Sequence, residues 1–262
     1  MNPADLDALH TLNQLIDGAS AAFGAKPALG LASETPLIYE EMRRRILLIA
    51  AWLRNAGVHR YDRVAILADS SPQWGLAYLA IVRLGATAVP ILPDFLETDV
   101  RHILCETGAT VLFTTQRQLE KLYDLKGCQL KSAITLDDAE DPNHQLPVLP
   151  FSNLLEQAAT LPERKRDCNT DPAAAEDVAS IIYTSGTSGH SKAVMLSHAN
   201  LLANVRSAMA AFDREPIIGW TFLSILPMSH AYEFTVGFLL PLATVSRLIY
   251  TGKIPTPSIL ER

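Results

Sequence analysis

The sequence predicts an α/β fold, with two lobes of mostly parallel sheet flanked by helices. Three observations lead there. Short apolar runs bounded by turn residues alternate with longer segments whose apolar residues recur every three or four positions. The repeated strand–helix–strand order needs crossover connections, which build parallel sheets with helices on both faces. A stretch rich in Pro, Asp and Asn, from about Ala139 to Ala175, separates two such series. Residues 1–170 are therefore expected to form a first lobe with its connecting segment, and residues 171–262 the start of a second.

The elements follow in chain order. Met42, Ile46, Ile49 and Leu53 share one helical face, and the turn at Asn55–Ala56–Gly57 ends that helix. Arg63–Ala68 reads as a buried strand. Ser71–Pro72 opens the next helix, with proline in its first turn. Trp74, Tyr78, Ile81 and Val82 form the apolar face of that helix, so the two aromatics are expected in the core. Gly85 ends it, and Thr87–Leu92 is a second strand. A third helix runs from Asp94 to Thr107, with Glu97 and Asp99 in its first turn, where the helix dipole favours acids. Gly108 closes it. Thr110–Thr114 and Ser132–Leu136 are strands three and four, and a short helical piece surrounds Leu154–Ala159. In the second series Val178–Tyr183 is a buried strand. A helix covers about His198 to Phe212, Phe222–Leu226 is a strand, a helix covers about Tyr232–Leu240, and Arg247–Tyr250 is a strand.

The 262 residues are 48% hydrophobic and 19% charged, the balance of a globular chain with a sizeable core. A formal net charge of -6 with interspersed signs argues against a nucleic-acid binder, which shows a basic stripe. Arg164–Lys165–Arg166 reads as a solvated linker. Cys105, Cys128 and Cys168 are odd in number and far apart, which suggests neither a disulfide framework nor a zinc site. A reducing, cytoplasmic setting is the expectation. The most apolar late stretch, Phe234–Val245, is interrupted by Pro241 and is too short to span a bilayer. Peripheral membrane contact and a homodimer stay open.

The informative segment is Ile181–Lys192. A buried strand runs into a loop of Gly, Ser and Thr that closes on a lysine. Glycines let backbone N–H groups turn inward around an anion. The hydroxyls of Thr184, Ser185, Thr187 and Ser188 add donors, and Lys192 adds a mobile charge for phosphate oxygens. The spacing is not that of the Walker loop, since the Gly252–Lys253 pair is followed by Ile254. No G-x-S-x-G elbow surrounds Ser188, so a serine hydrolase is unsupported.

Tyr183–His198 (YTSGTSGHSKAVMLSH) resembles the signature loop of the adenylate-forming superfamily, whose pattern is Tyr/Phe-Thr-Ser-Gly-Thr-Thr-Gly-x-Pro-Lys-Gly-Val. Leu37–Glu41 is similar to that family's early Leu-Thr-Tyr-x-Glu-Leu segment. Asp69–Asp94 is similar to its Asn-x-Pro-x-Trp … Leu-Gly-Ala … Pro-Leu stretch, and Leu226–His230 to its Leu-Pro-x-x-His element. Ser188, Ser191 and Ala193 stand where the pattern has Thr, Pro and Gly. If position 193 required positive φ or a close backbone approach, alanine would strain it.

The resemblance implies the N-terminal portion of the large domain of adenylate-forming enzymes. It implies that Thr184, Ser185, Gly186, Thr187, Ser188, Gly189 and Lys192 hold the phosphates of ATP, with Thr184 as the Mg2+ contact and Lys192 catalytic. A carboxylate then attacks the α-phosphorus, pyrophosphate leaves, and a thiol, coenzyme A in many members, takes the acyl group. Read by itself, His230 is a capping or core histidine. The resemblance places it beside the acyl carboxylate, in a catalytic role. His198 reads as a structural residue opening a helix. His230 and Glu233 at i, i+3 lack a third ligand, which discounts a metal pair. Ser224–Glu233, with His-x-x-Glu, resembles the fatty-acyl branch, so a fatty acid is the expected substrate. The family's adenine, ribose and hinge motifs and its C-terminal lysine are not found before Arg262, so a fragment inactive by itself is expected. The alternatives are a non-catalytic relic that binds nucleotide or a partner, and an adenylation domain that loads a carrier protein.

Overall fold

The computed structural model describes residues 6–122, 124–168, 173–184, 192–212 and 217–251. In order the elements are α1 (Leu12–Phe23), β1 (Pro27–Leu31), β2 (Leu37–Ile38), α2 (Tyr39–Asn55), β3 (Arg63–Leu67), α3 (Pro72–Arg83), β4 (Thr87–Ile91), α4 (Glu97–Thr107), β5 (Val111–Thr114), α5 (Gln116–Leu119), β6 (Ser132–Thr135), β7 (Val148–Pro150), α6 (Phe151–Thr160), α7 (Glu163–Arg166), β8 (Val178–Thr184), β9 (Lys192–Ser197), α8 (His198–Ala211), β10 (Thr221–Ser224), α9 (Leu240–Ala243) and β11 (Arg247–Tyr250). A 3-10 turn (Glu120–Leu122) follows α5, and a π-helix (Glu233–Leu239) runs into α9.

Seven strands form one sheet in the order β7-β6-β5-β3-β4-β8-β9, parallel except for the β8–β9 edge hairpin. Four form a second sheet, β10-β11-β1-β2, parallel except for β1–β2. The mostly parallel α/β architecture expected from the sequence is present. Strand membership, however, crosses residue 170 in both directions. β8 and β9 extend the sheet of the first series, while β1 and β2 pair with strands from the end of the chain.

Both faces of the seven-stranded sheet are covered, as parallel sheets require. Val64 and Ile66 of β3 point into the larger core with α2 and α3. Their neighbours Ala65 and Leu67 point into the smaller one, with Val100, Ile103 and Leu104 of α4. The period of two along β3 thus sends alternate side chains to opposite layers. α3 is buried along nearly its whole length, the pattern of a helix enclosed on all sides. Ser71 caps it by accepting from Trp74 N–H, and Pro72 occupies its first turn. Trp74 and Tyr78 are fully buried, as their spacing indicated. They stack with centroids 5.7 Å apart, and Tyr78 meets Phe234 of the π-helix edge-on at 4.7 Å. α3 therefore joins the two sheets.

Local signals set most ends. Gly57 (φ 92°) follows α2, and Gly108 (φ 61°) closes α4 in the left-handed conformation. Ser197 and Asn200 form a reciprocal capping box at the start of α8. The segment read as a connection carries edge strand β7 and helix α6, tied to α2 by Trp52 Nε1–H donating to Gln157 Oε1 at 3.0 Å.

The cysteine expectation is corrected. Cys105 and Cys128 form a disulfide, with Cα atoms 4.2 Å apart, and Cys168 is the buried free thiol. Arg101 explains the approach. Its guanidinium donates to the carbonyls of Asp124 (2.9 Å) and Lys126 (2.8 Å), pulling that turn onto α4. Sequence spacing alone carries no trace of this packing. Among the described residues no helix is long and apolar enough to cross a membrane.

Candidate active site

Ligands of open parallel sheets gather beyond the carboxyl ends of the strands. There β8 ends, and β9 begins directly opposite it. Thr184 and Lys192 are register partners at the mouth of this hairpin, and both side chains are exposed. Thr184 Oγ1–H points at the Lys192 carbonyl at 3.5 Å, the limit of a hydrogen bond. Ser185, Gly186, Thr187, Ser188 and Gly189 lie outside the described residues, as does Ser191. Ala193 is in extended β9, paired with Tyr183, and is not among the positive-φ residues. The backbone at 193 is therefore outside the left-handed region, and the expectation of positive-φ strain there is withdrawn.

The base of the hairpin is fastened on both sides. Tyr183 is buried, and its Oη–H donates to Glu106 Oε2 of α4 at 2.8 Å. Burial, and then the Glu106 carboxylate, push the Tyr183 phenol above its usual range, so it stays a donor at neutral pH. His102 approaches the same carboxylate at 3.4 Å, one helical turn back. Deeper in β8, Ser180 Oγ and Tyr78 Oη share a 2.7 Å hydrogen bond. Thr87 Oγ1–H donates to the Val178 carbonyl at 2.8 Å. These bonds supplement a short ladder, since the β4–β8 register is the single pair Ala88–Ser180.

His230 sits in the connection between β10 and the π-helix and is exposed. Its N–H donates to the Pro227 carbonyl at 2.9 Å, and its own carbonyl accepts from Phe234 N–H. Ser70 pins this connection from the other sheet. Its Oγ–H donates to the Leu226 carbonyl at 3.0 Å and accepts from Met228 N–H at 2.8 Å. Ser70 lies just past the carboxyl end of β3, two strands from β8, or about 10 Å at the usual spacing. The structure thus gathers Thr184, Lys192 and the His230 segment at one end of the large sheet. The Ser70 clamp was hidden in the sequence, because the two partners are 156 residues apart.

Glu233 is 5% exposed and accepts Ser224 Oγ–H at 2.7 Å. It therefore faces the fold's interior rather than a metal with His230, and no cluster of three metal-ligating side chains occurs among the described residues. The extra width of the π-turn makes room for the carboxylate. A Cβ on Gly237 would collide with it. Gly237→Ala is expected to push the Glu233 carboxylate off Ser224 Oγ, with a net cost of about 1 kcal/mol in thermal or urea unfolding, because overpacking is offset in part by the better helix propensity of alanine. His198, read as structural, opens α8, is buried, and accepts Leu12 N–H at Nδ1 (3.2 Å).

The donors at the hairpin mouth are of the kind that suits an anion such as a nucleotide phosphate. They offer an accessible hydroxyl and a cation at the carboxyl end of a parallel sheet, on either side of a Gly/Ser/Thr loop. The model of the AMP-binding enzyme family matches residues 17–261. The long-chain-fatty-acid–CoA ligase heimdall of Drosophila melanogaster is 31% identical over 78% of this chain and 31% of its own length. The hybrid PKS-NRPS synthetase poxE of Penicillium oxalicum is 32% identical over 79% of this chain and 4% of its own. The inhibitor-bound N-terminal domain of FACL13 from Mycobacterium tuberculosis superposes with a TM-score of 0.70 at 21% identity. It covers 92% of this chain and 57% of that domain, and shows the shared fold. The chain thus spans less than half the length of either curated relative. With the family match running across nearly the whole chain, this chain belongs to the AMP-binding, adenylate-forming enzymes.

Proposed function

We propose that the chain carries the phosphate-binding part of a site that activates a fatty acid with ATP. The observation that carries this is the hairpin mouth, where Thr184 and Lys192 face each other across the ends of the Gly/Ser/Thr loop. In this reading Lys192 holds the terminal phosphates by charge, and the Thr184 hydroxyl would be the protein's contact to a magnesium ion. ATP supplies the electrophilic α-phosphorus. A carboxylate oxygen bonds to it, the bond to the β-phosphate bridging oxygen breaks, and pyrophosphate leaves. The task of this chain is positioning and charge stabilisation rather than covalent chemistry. His230, held at the same end of the sheet by Ser70, is assigned to the acyl carboxylate and the incoming thiol.

Fatty acid as substrate rests on the Ser224–Glu233 pattern and on the similarity to the Drosophila ligase. Coenzyme A is the acceptor in this reading. The similarity to the Penicillium synthetase favours a second one, in which a carrier-protein thiol takes the acyl group. ATP–pyrophosphate exchange by the intact protein, across medium- and long-chain fatty acids and amino acids, tests both. Exchange with fatty acids, followed by discharge to coenzyme A, is expected. Exchange only with amino acids selects the carrier reading, and no exchange with any acid refutes activation. Residues 1–262 alone are expected to be inactive, because the motifs for adenine and ribose are missing from them.

A further inference from the structure

The glutamate of the His-x-x-Glu run is left without a role by the adenylation chemistry, and it faces the interior rather than a metal. Its place in the fold supplies a role. Glu233 opens the π-helix, and Ser224 ends β10. Ser224 Oγ–H donates to Glu233 Oε1 at 2.7 Å, across nine positions of sequence. This bond joins the two ends of the connection that carries His230, which is therefore a loop closed at its base.

The bond lies deep. Glu233 is 5% exposed and Ser224 is 3% exposed. Ser224 is the register partner of Tyr250 in β11. Tyr250 is fully buried, and burial followed by the Glu233 charge pushes its phenol well above the usual range. The rest of the π-helix buries Phe234, Phe238 and Leu239. Burying a carboxyl among such neighbours is costly unless it is hydrogen-bonded. An apolar side chain would fill the turn at lower cost, so packing alone does not account for a glutamate here. A directed bond does, because it specifies a geometry that apolar contacts leave loose. Widened helical turns of this kind are frequent at functional sites.

Few bonds separate this closure from the histidine. Phe234, next to Glu233, donates its N–H to the His230 carbonyl at 2.9 Å, and the His230 N–H donates to the Pro227 carbonyl at 2.9 Å. The residues on either side of Pro227 are those that Ser70 fastens to the end of β3. The backbone of His230 is thus held from the Glu233 side and from the Ser70 side, while its side chain is exposed.

We propose that Glu233 is a positioning residue: by closing the loop at Ser224, it sets where the His230 imidazole stands at the end of the large sheet. The proposal rests on the role given above to His230. It adds a residue that itself touches neither acid nor nucleotide.

The test measures fatty-acid-dependent ATP–pyrophosphate exchange by the intact protein, with KM for the acid and for ATP taken separately. Glu233→Ala and Ser224→Ala each remove one half of the bond. Each should lower kcat/KM for the fatty acid by roughly 10–100-fold, the order expected when a reacting group is misplaced by about an ångström. KM for ATP should stay within about twofold, because the hairpin mouth is fastened independently. Glu233→Gln keeps an acceptor of the same shape and should retain most of the rate. Far-UV circular dichroism and a thermal melt establish that each variant is folded, and if Glu233→Ala does not fold, Ser224→Ala carries the same test. A cycle with His230→Ala separates positioning from a general loss of stability. In the His230→Ala background the loop variants should cause no further loss, since residues that act as a unit are not additive. Losses that multiply, or loop variants equal to the parent, overturn the positioning role and leave the activation reading standing. His230→Ala equal to the parent removes the role of His230, and this proposal with it. A parent that exchanges with no acid refutes activation itself and takes both with it.

Discussion

Lys192→Ala in the intact protein is expected to lower fatty-acid-dependent ATP–pyrophosphate exchange by roughly 10²–10³-fold, the usual effect of removing one preorganised group that stabilises transition-state charge. Lys192 opens β9 at the hairpin mouth, opposite Thr184, with its side chain in solvent. An exposed lysine contributes little to folding, so the thermal midpoint should move by less than a degree or two. The fatty acid does not touch this residue in the proposed arrangement, and its apparent affinity should be unchanged. Lys192→Arg should recover only part of the rate, because the guanidinium presents a planar fork in place of a compact charge. Equal exchange rates in Lys192→Ala and the parent would remove the phosphate role from this residue.

The second large effect is on stability. Asp17 accepts Arg43 Nε–H at 2.7 Å and Arg83 Nη1–H at 3.0 Å, and pairs closely with Arg83 Nη2. Arg83 is almost completely buried at the end of α3, whereas Asp17 is about one-third exposed. Asp17→Ala leaves a buried cation without its partner. The expected loss is about 3 kcal/mol, the lower end for broken buried pairs, or roughly 6–12 °C in the melting temperature for a chain of this size. Asp17→Ala combined with Arg83→Met should recover much of this, because no charge is then stranded.

The dependence on pH has a definite sign. Burial raises the carboxyl pKa of Asp17, but hydrogen bonds from Arg83 and Arg43 and their charges outweigh it and hold the group below its ordinary value. A depressed folded-state pKa means that the stabilisation is complete above the unfolded value, about 3.9. It is lost as pH falls through the folded one. The gap in melting temperature between parent and Asp17→Ala should therefore be wide at pH 7 and narrow at pH 3. A gap of the same width at both would mean that the ion pair is not its source.

The elements that the sequence announced share one property: the signal and the structure occupy the same short window. β3 and β4 are apolar runs between turns, α3 carries its cap and proline at its first turn, and Gly57 and Gly108 end α2 and α4 as expected. The Gly/Ser/Thr run and Lys192 stand out in the sequence because they are contiguous, and the proposed phosphate role draws on that run. The family resemblance was legible for the same reason, and the family match bears it out.

Tertiary structure decided what depends on residues far apart in the chain. β1 begins with proline and contains Gly30, a weak strand by propensity. It becomes a strand because β11, more than 200 residues later, pairs with it. β9 reads as the tail of a motif, yet its ladder with β8 sets Thr184 and Lys192 opposite each other. The Cys105–Cys128 bridge and the Ser70 clamp on the His230 segment arise in the same way. Periodicity, caps and turns act through neighbouring backbone groups and are written locally. Strand partners, buried pairs and cavities depend on which surfaces meet when the apolar faces are buried, and only the packed chain determines that.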